Sequence, residues 1–213
     1  MTGNGASRFQ DVIREEAELR AIMGTPSARA GNKVIDRIDR HAADFIARSP
    51  FLVVASTSAE GVMDLSPKGD PAGFVQVLDE TTLAIPDRPG NRRADTFLNV
   101  LARPEVGLIF LIPGKRETLR VSGTATIVRD EDLLARLEAH GKRPHLALVV
   151  HVERVMFHCA KCMIRSHLWQ PEHWPSLDGM ASLGEVILDH SRIAGSVQEV
   201  DGIIERDARE KLY

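Results

Sequence analysis

Three arginines lie close together in the segment DRPGNRRAD: Arg88, Arg92 and Arg93, just before a predicted helix. Main-chain N–H groups and the positive end of the dipole at a helix N-terminus favour a bound anion. The forked donors of arginine match phosphate oxygens. Basic residues at a helix start are unfavourable by themselves, so a negative group should compensate them. A bound phosphate or the carboxylates of Asp87 and Asp95 could do so, and a solvated arginine cluster remains an equal alternative.

Two other segments carry polar residues that could join such a site. Ser66 and Lys68 occur in DLSPKGD at the end of a predicted strand, where a lysine reaches an anion as a point charge or is simply exposed. In TLRVSGTATIV, apolar and polar residues alternate, which places Thr118, Arg120 and Ser122 on one polar face. That face is expected to hydrogen-bond a ligand ring or to meet solvent.

The sequence also has a cluster of cysteine and histidine residues, His158, Cys159, Cys162 and His167. The C-x-x-C spacing suits two zinc ligands, but a structural zinc site needs four, and a second C-x-x-C is missing. A thioredoxin-like role lacks its usual βαβ context. The sequence therefore predicts no metal site, and the two cysteines are expected to pack as small hydrophobes on the buried side of a turn.

The elements that would position these residues begin with a charged helical segment from about residue 10 to residue 48. Its residues Ile35, Ile38, Ala42, Phe45 and Ile46 share one helical face. Short runs rich in β-branched residues follow, and turn residues separate them. These predicted strands are FLVVAS, VMDLS, GFVQVL, TLAI, VGLIFLI, TLRVSGTATIV and a further segment from about residue 146 to residue 158.

A helix is predicted in NRRADTFLNVLARP, between the fourth and fifth strands. Apolar residues recur at helical spacing through Phe97, Leu98 and Leu101, and Pro104 prevents continuation. Asn91 is the expected N-cap. A short helix is also predicted at DEDLLARLEAH, and the segment after residue 160 is expected to be helical and irregular.

This pattern predicts an α+β fold, a six-stranded antiparallel split β-barrel with flanking helices. Residues 1–49 are expected to form an N-terminal helical extension and residues 50–170 the barrel domain. Residues 171–213 are expected to form a helical or irregular extension that packs on the barrel or on a dimer partner. No G-x-G-x-x-G unit or P-loop occurs.

Composition narrows the class of partners. The net charge of -3 and the pI near 6.2 predict no general attraction to nucleic acid or to anionic membranes. No apolar run approaches the roughly 20 residues that span a bilayer. With only two cysteines and no secretory leader pattern, the chain is expected to be cytoplasmic.

Several of these motifs together resemble a known family. DLSPKG, PDRPGNRRADTFLNVLARPEVGLIFLIPG and TLRVSGTATIV look like the FMN-binding split-barrel proteins related to pyridoxamine 5'-phosphate oxidase. The stretch FHCAKCMIRSHLW is similar to that of a bacterial subgroup of FMN-dependent enzymes. The resemblance implies a homodimer that binds FMN in a groove at the subunit interface and acts as an oxidoreductase on a small molecule. Its substrate and electron donor are not implied.

The family pattern implies roles for residues of this chain. Lys68 and the pair Arg92 and Arg93 correspond to the residues that bind the flavin phosphate. Residues just before the helix, and Thr118, correspond to flavin contacts, and the tail around Trp169 approaches the cofactor, often from the partner chain. Together with the residues chosen on their chemistry, the candidate cofactor-binding residues are Ser66, Lys68, Ile85, Asp87, Arg88, Asn91, Arg92, Arg93, Thr118, Arg120, Arg165, Ser166 and Trp169.

The chain also departs from pyridoxamine phosphate oxidases themselves. Their arginine near the start of the lysine-bearing strand, and their C-terminal tryptophan and arginine signature, have no convincing match. Oxidation of pyridoxamine phosphate is therefore not expected. In the family the flavin carries the redox chemistry, so no catalytic side chain is assigned. One alternative is a non-catalytic flavin or haem carrier or sensor on the same fold. Another is a regulatory module that binds a different anionic metabolite or has a zinc site at Cys159 and Cys162, and a deazaflavin could replace FMN.

Overall fold

The computed structural model describes residues 8–213, which form two compact units with a boundary between Val34 and Ile35. In the first unit, α1 spans Glu16–Met23 and α2 spans Ala28–Gly31, and neither helix has a buried residue. No helix in the described part of the chain is long and apolar enough to cross a membrane.

The second unit contains an antiparallel sheet and six further α-helices within the described residues. The strands are β1 (Phe51–Thr57), β2 (Met63–Gly69), β3 (Gln76–Asp79), β4 (Thr82–Pro86), β5 (Glu105–Leu111), β6 (Thr118–Val128) and β7 (Ala147–His158). The helices are α3 (Arg40–Arg48), α4 (Asp95–Ala102), α5 (Glu131–Arg136), α6 (Lys161–Arg165), α7 (Leu183–Ser191) and α8 (Val197–Glu210), with a 3-10 turn at Pro171–His173.

The sheet corrects the predicted strand count and closure. The α+β class and the antiparallel pairing are confirmed, but the strand order is β2-β1-β5-β6-β7-β4-β3, an open sheet of seven strands rather than a closed barrel of six. All seven strands correspond to segments that the sequence predicted, and β7, which follows α5, inserts between β6 and β4. Turn residues along the chain predict pairing only between strands that are consecutive in sequence. The β1–β5 and β4–β7 pairs instead join segments that are distant in sequence.

The core lies on the face of the sheet that α3 covers. Ala42, Phe45 and Ile46 of α3 are buried, and Asp39 caps the helix by accepting a hydrogen bond from the main-chain N–H of Ala42 at 2.8 Å. The predicted helical face is confirmed for these three residues, but Ile35 and Ile38 precede the helix, although Ile38 is buried. Ile35 forms a β-bridge with Val155.

Strand β6 follows the predicted alternation with one exception. Leu119, Val121, Gly123 and Ala125 are buried, but Thr118, predicted on the polar face, is only 4% exposed. The pairing with β7 shifts between Ser122 and Gly123 because of a β-bulge.

Helix α4 positions the arginine-rich loop. It begins at Asp95, so Asn91 is not its N-cap; Ala94 holds that position in a left-handed conformation with φ 57°. Further along the helix, the Asn99 side-chain amide donates a buried hydrogen bond to the Ser56 hydroxyl at 3.0 Å, which ties α4 to β1. The start of α4 is thereby held next to the β1–β2 edge of the sheet.

Candidate cofactor-binding site

A groove of about 1140 Å³ lies within the second unit. Its walls are the outer part of β2, the loop between β4 and α4, residues 142–146 and the C-terminal segment from α8 to residue 213. Of the candidate cofactor-binding residues, those that line this groove are Ser66, Lys68, Asp87, Arg88, Asn91, Arg92 and Arg93. The structure thus brings together residues from two distant segments of the sequence.

The side chains that line the groove carry an excess of positive charge, whereas the whole chain has a net negative charge. Seven basic and four acidic side chains line it, whereas the chain carries a net charge of -3. Clefts lined by one sign of charge concentrate ligands of the other sign. The groove is therefore suited to an anionic ligand.

Two of its cations, Lys68 and Arg92, are available to a ligand. Within residues 8–213, neither forms an ion pair with a carboxylate. The Lys68 ammonium lies 6.0 Å from the centre of the Phe97 ring, and Lys68 is half-buried. Arg93 differs, since its Nε donates to the Asp95 carboxylate at 2.7 Å. That hydrogen bond raises the pKa of Arg93 above its ordinary value.

The loop backbone before α4 is strained at two residues, and the helix that follows has no side-chain cap. Arg92 and Ala94 have φ values of 61° and 57°, a conformation that L-residues with a side chain adopt at a cost of order 1–3 kcal/mol. The Asn91 side chain accepts from the Arg93 main-chain N–H at 3.0 Å. No side chain caps the start of α4. The first N–H groups of the helix therefore lack a side-chain acceptor next to Arg92.

Arg88 is engaged by neighbouring residues. Its Nε donates to the Asp70 carboxylate at 2.6 Å, and its terminal nitrogen donates to the Leu137 main-chain oxygen at 2.9 Å. The Asp70 side chain is only 2% exposed. Arg88 lines the groove, and these two hydrogen bonds tie it to neighbouring segments, so its role in the site is chiefly to hold the wall together.

The C-terminal residue Tyr213 is a part of this wall that sequence reasoning missed. Its hydroxyl donates to the other oxygen of Asp70, its ring lies 4.5 Å from the His140 ring, and its main-chain oxygen accepts from the Lys142 ammonium at 2.7 Å. The hydrogen bond to Asp70 raises the pKa of Tyr213. Tyr213 is the only tyrosine of the chain, but nothing local indicates a partner 143 positions away.

Asp87 lies on the groove beside Lys68 and His145. Partial burial raises the pKa of its carboxyl above the ordinary value of 3.8, while the charges of Lys68 and His145 oppose this shift. Burial dominates because it removes water from the ionised form. Burial therefore makes the Asp87 carboxyl harder to ionise than the same group in water.

The remaining candidate residues do not line the groove. Ile85 is a core residue of β4, and Arg120 is exposed on β6. A second group lies around the start of β6: Thr118 pairs with His158, and the Trp169 indole N–H donates to the Lys115 main-chain oxygen at 2.8 Å. Arg165 and Ser166, both exposed, belong to the same segment as Trp169. The structure therefore divides the candidate residues into the groove and this second group.

The cysteines are not where the sequence analysis placed them. Cys159 and Cys162 are unpaired and both are exposed, so the prediction that they pack on the buried side of a turn is wrong. They follow the end of β7, where the chain leaves the sheet. Across residues 8–213, no cluster of three or more His, Cys, Asp or Glu side chains is arranged to hold a metal ion.

Comparison with known families settles the relationship that the motifs indicated. A model of the pyridoxamine 5'-phosphate oxidase family matches residues 38–159, which is more than half of the chain. The chain belongs to this family. The matched region runs from just before α3 to the end of β7, so it includes β2 and the loop before α4.

Solved structures with similar folds share little sequence with this family member. HupZ from Group A Streptococcus is 20% identical, over 55% of this chain and 91% of that chain, with a TM-score of 0.46. A putative pyridoxamine 5'-phosphate oxidase from Lactobacillus delbrueckii is 18% identical, over 57% and 99%, with a TM-score of 0.45. An FMN-binding protein from Syntrophomonas wolfei is 11% identical, over 57% and 88%, with a TM-score of 0.44. No curated protein matches the chain.

Proposed function

We propose that this family member is a flavoprotein that binds FMN, with the flavin phosphate in the groove between β2 and the start of α4. The observation that carries the proposal is the convergence of Lys68 and Arg92, two cations without ion-pair partners among residues 8–213, at the uncapped N-terminus of α4. A phosphate placed there would receive main-chain N–H groups, a lysine and an arginine together.

The size and the donors of the groove fit such a ligand. Ligand sites typically enclose about 300–1,000 Å³, and the groove, at about 1140 Å³, is slightly larger than that range. Ser66 adds a hydroxyl beside Lys68, and Arg93 adds a guanidinium that Asp95 holds in place. Asp87 also lines this part of the groove, and partial burial raises the pKa of its carboxyl above the ordinary value.

The proposed activity is oxidation and reduction of a small molecule. Bound flavin would supply the redox chemistry, and the protein would supply position and electrostatics. Ser66, Lys68, Arg92 and Arg93 hold the phosphate in this proposal. Arg88 stabilises the wall of the groove through its ion pair with Asp70.

A homodimer would complete the site. The second group of candidate residues lies outside the groove of its own chain, so in this proposal it serves the flavin of the partner protomer. Large apolar side chains on β2 and α4 are exposed and would provide the contact: Met63, Leu65, Leu98 and Leu101. Exposed apolar residues in a continuous patch are typical of protein interfaces.

The test is titration of the protein with FMN, followed by the absorption and fluorescence of the flavin. The Arg92→Ala/Arg93→Ala variant should bind FMN far more weakly than wild type, because each charged hydrogen bond to the phosphate contributes about 1.5–3 kcal/mol. The matched control is Arg129→Ala/Arg136→Ala, which removes the same charge from two exposed positions outside the groove. Equal affinity of both variants would refute the assigned phosphate site.

A further inference from the structure

The chain contains only two cysteines, and they lie three positions apart at Cys159 and Cys162. Both are exposed and unpaired. Free cysteine that serves only packing is among the most buried residue types. A packing role therefore explains neither the exposure of these thiols nor their spacing.

The backbone between the two cysteines brings them within reach of each other. Ala160 is right-handed, with φ -70° and ψ -9°, and Lys161 begins α6. A four-residue turn of this kind keeps its first and last Cα atoms within about 7 Å. Disulfides usually join Cα atoms that are about 4.4–6.8 Å apart. The turn from Cys159 to Cys162 is therefore short enough to be compatible with a disulfide between them.

A proton acceptor lies next to the first thiol. The His158 Nδ1 atom is 3.9 Å from the Cys159 sulfur. The same Nδ1 atom lies 3.4 Å from the Cys159 main-chain oxygen. In the neutral tautomer that carries its proton on Nε2, Nδ1 is free to accept the proton that the thiol loses when it attacks as a thiolate. Cys159 is for this reason assigned as the attacking residue and Cys162 as the resolving one.

We propose that Cys159 and Cys162 form a redox-active dithiol that undergoes exchange with a low-molecular-weight disulfide such as glutathione disulfide. The Cys159 thiolate attacks one sulfur of glutathione disulfide, and one glutathione leaves and takes up a proton. The Cys162 thiol, after losing its proton, attacks the Cys159 sulfur of the mixed disulfide and releases the second glutathione. The two protein thiols are oxidised to one disulfide, and glutathione disulfide is reduced to two thiols.

The dithiol is placed to act on the segment that follows it. Cys162 lies within α6, and the same segment continues to Trp169, whose indole is hydrogen-bonded to Lys115 before β6. Closing the ring from Cys159 to Cys162 would constrain the start of this segment. The inference does not depend on flavin binding.

The test uses the full-length protein, reduced, freed of reductant and incubated with excess glutathione disulfide, and it follows the intact mass. Wild type should lose two hydrogen atoms, carry no glutathione and recover its original mass with dithiothreitol. Cys162→Ser should instead keep one glutathione, because it lacks the resolving thiol. The double variant Cys159→Ser/Cys162→Ser should not change.

Three results would overturn the proposal. One is wild-type protein that keeps glutathione as Cys162→Ser does. Another is wild-type protein that forms only disulfide-linked pairs of chains, and the third is wild-type protein that remains fully reduced. Because both cysteines are exposed, the serine variants are expected to fold, and unchanged circular dichroism checks this.

Discussion

Neighbouring arginines in the groove have different surroundings, and their variants should differ accordingly. Arg93 is held by Asp95, whereas Arg92 has no ion-pair partner among residues 8–213. Arg92→Ala should weaken FMN binding by about 1.5–3 kcal/mol, roughly 10- to 150-fold in Kd. Arg93→Ala should weaken it less, because part of the charge of Arg93 is already compensated. Calorimetric titration measures both, and a larger loss for Arg93→Ala would contradict the assignment.

Asp87 should leave a signature in the pH dependence of stability. Burial raises its pKa in the folded protein above 3.8, so the folded state keeps a proton that the unfolded state releases. The contribution of Asp87 to the free energy of unfolding should therefore fall as pH rises from 3.8 through the folded-state pKa. Asp87→Asn has no such titration and should gain stability relative to wild type over this window.

Urea unfolding of both proteins at a series of pH values measures this difference. If wild type instead gained stability relative to Asp87→Asn as pH rises, the pKa of Asp87 would be lowered rather than raised by folding.

At the scale of single residues, the sequence predicted which side chains could bind a phosphate, but it did not predict which residues they contact. The cluster of Lys68, Arg92 and Arg93 could be predicted because type and spacing carry the phosphate argument. The roles of Arg88 and Tyr213 could not, since both depend on Asp70, which is remote from Tyr213 in sequence. The burial of Thr118 could not be predicted either, because a polar residue in an alternating strand does not indicate that other residues cover its face.

The register shift between β6 and β7, where Glu153 of β7 is left without a partner, brings the β7 backbone close to Gly123. A Cβ atom at Gly123 would lie 1.9 Å from the His151 main-chain oxygen, so Gly123→Ala must displace the β7 backbone. Overpacking of this kind typically costs about 1–3 kcal/mol. Gly107→Ala in the neighbouring strand β5 is the matched control, because its Cβ would lie 3.7 Å from the Ala55 Cβ, an ordinary contact.

Thermal and urea unfolding of the two variants test this. Gly123→Ala should be clearly less stable than wild type, and Gly107→Ala should be close to it. Equal stability of the two variants would show that the bulge tolerates a side chain.

At the scale of elements, local patterns predicted each strand but not the sheet. Alternation and turn residues are local, and they predicted the segments that became β1 to β7. The order of strands depends on pairs such as β1 with β5 and β4 with β7, which no local pattern encodes. Helix α4 also starts later than the sequence predicted. The left-handed residues Arg92 and Ala94 keep the chain out of a helix until Asp95.

For the whole molecule, the proposed homodimer makes a prediction about Leu101, which is 75% exposed on α4 and does not line the groove. Leu101→Glu should convert the dimer to a monomer, because it places a charge in an apolar contact. FMN binding should weaken with it, since the site would lose the partner protomer. Leu177→Glu, at an equally exposed position between the 3-10 turn and α7, is the control.

Sedimentation velocity measures the state of association, and flavin titration of the same samples measures binding. A Leu101→Glu variant that remains a dimer would place the contact between protomers elsewhere. A monomer that binds FMN as tightly as wild type would show that one chain forms the whole site.

The most direct test of the account is titration of the wild-type protein with FMN and, in parallel, with riboflavin, which has the same ring system but no phosphate. The account predicts that FMN binds with one flavin per protomer and that riboflavin binds much more weakly, because Lys68, Arg92 and the start of α4 act on the phosphate. Equal affinity for the two flavins would contradict the phosphate site, and no binding of either would contradict the assignment as a flavoprotein.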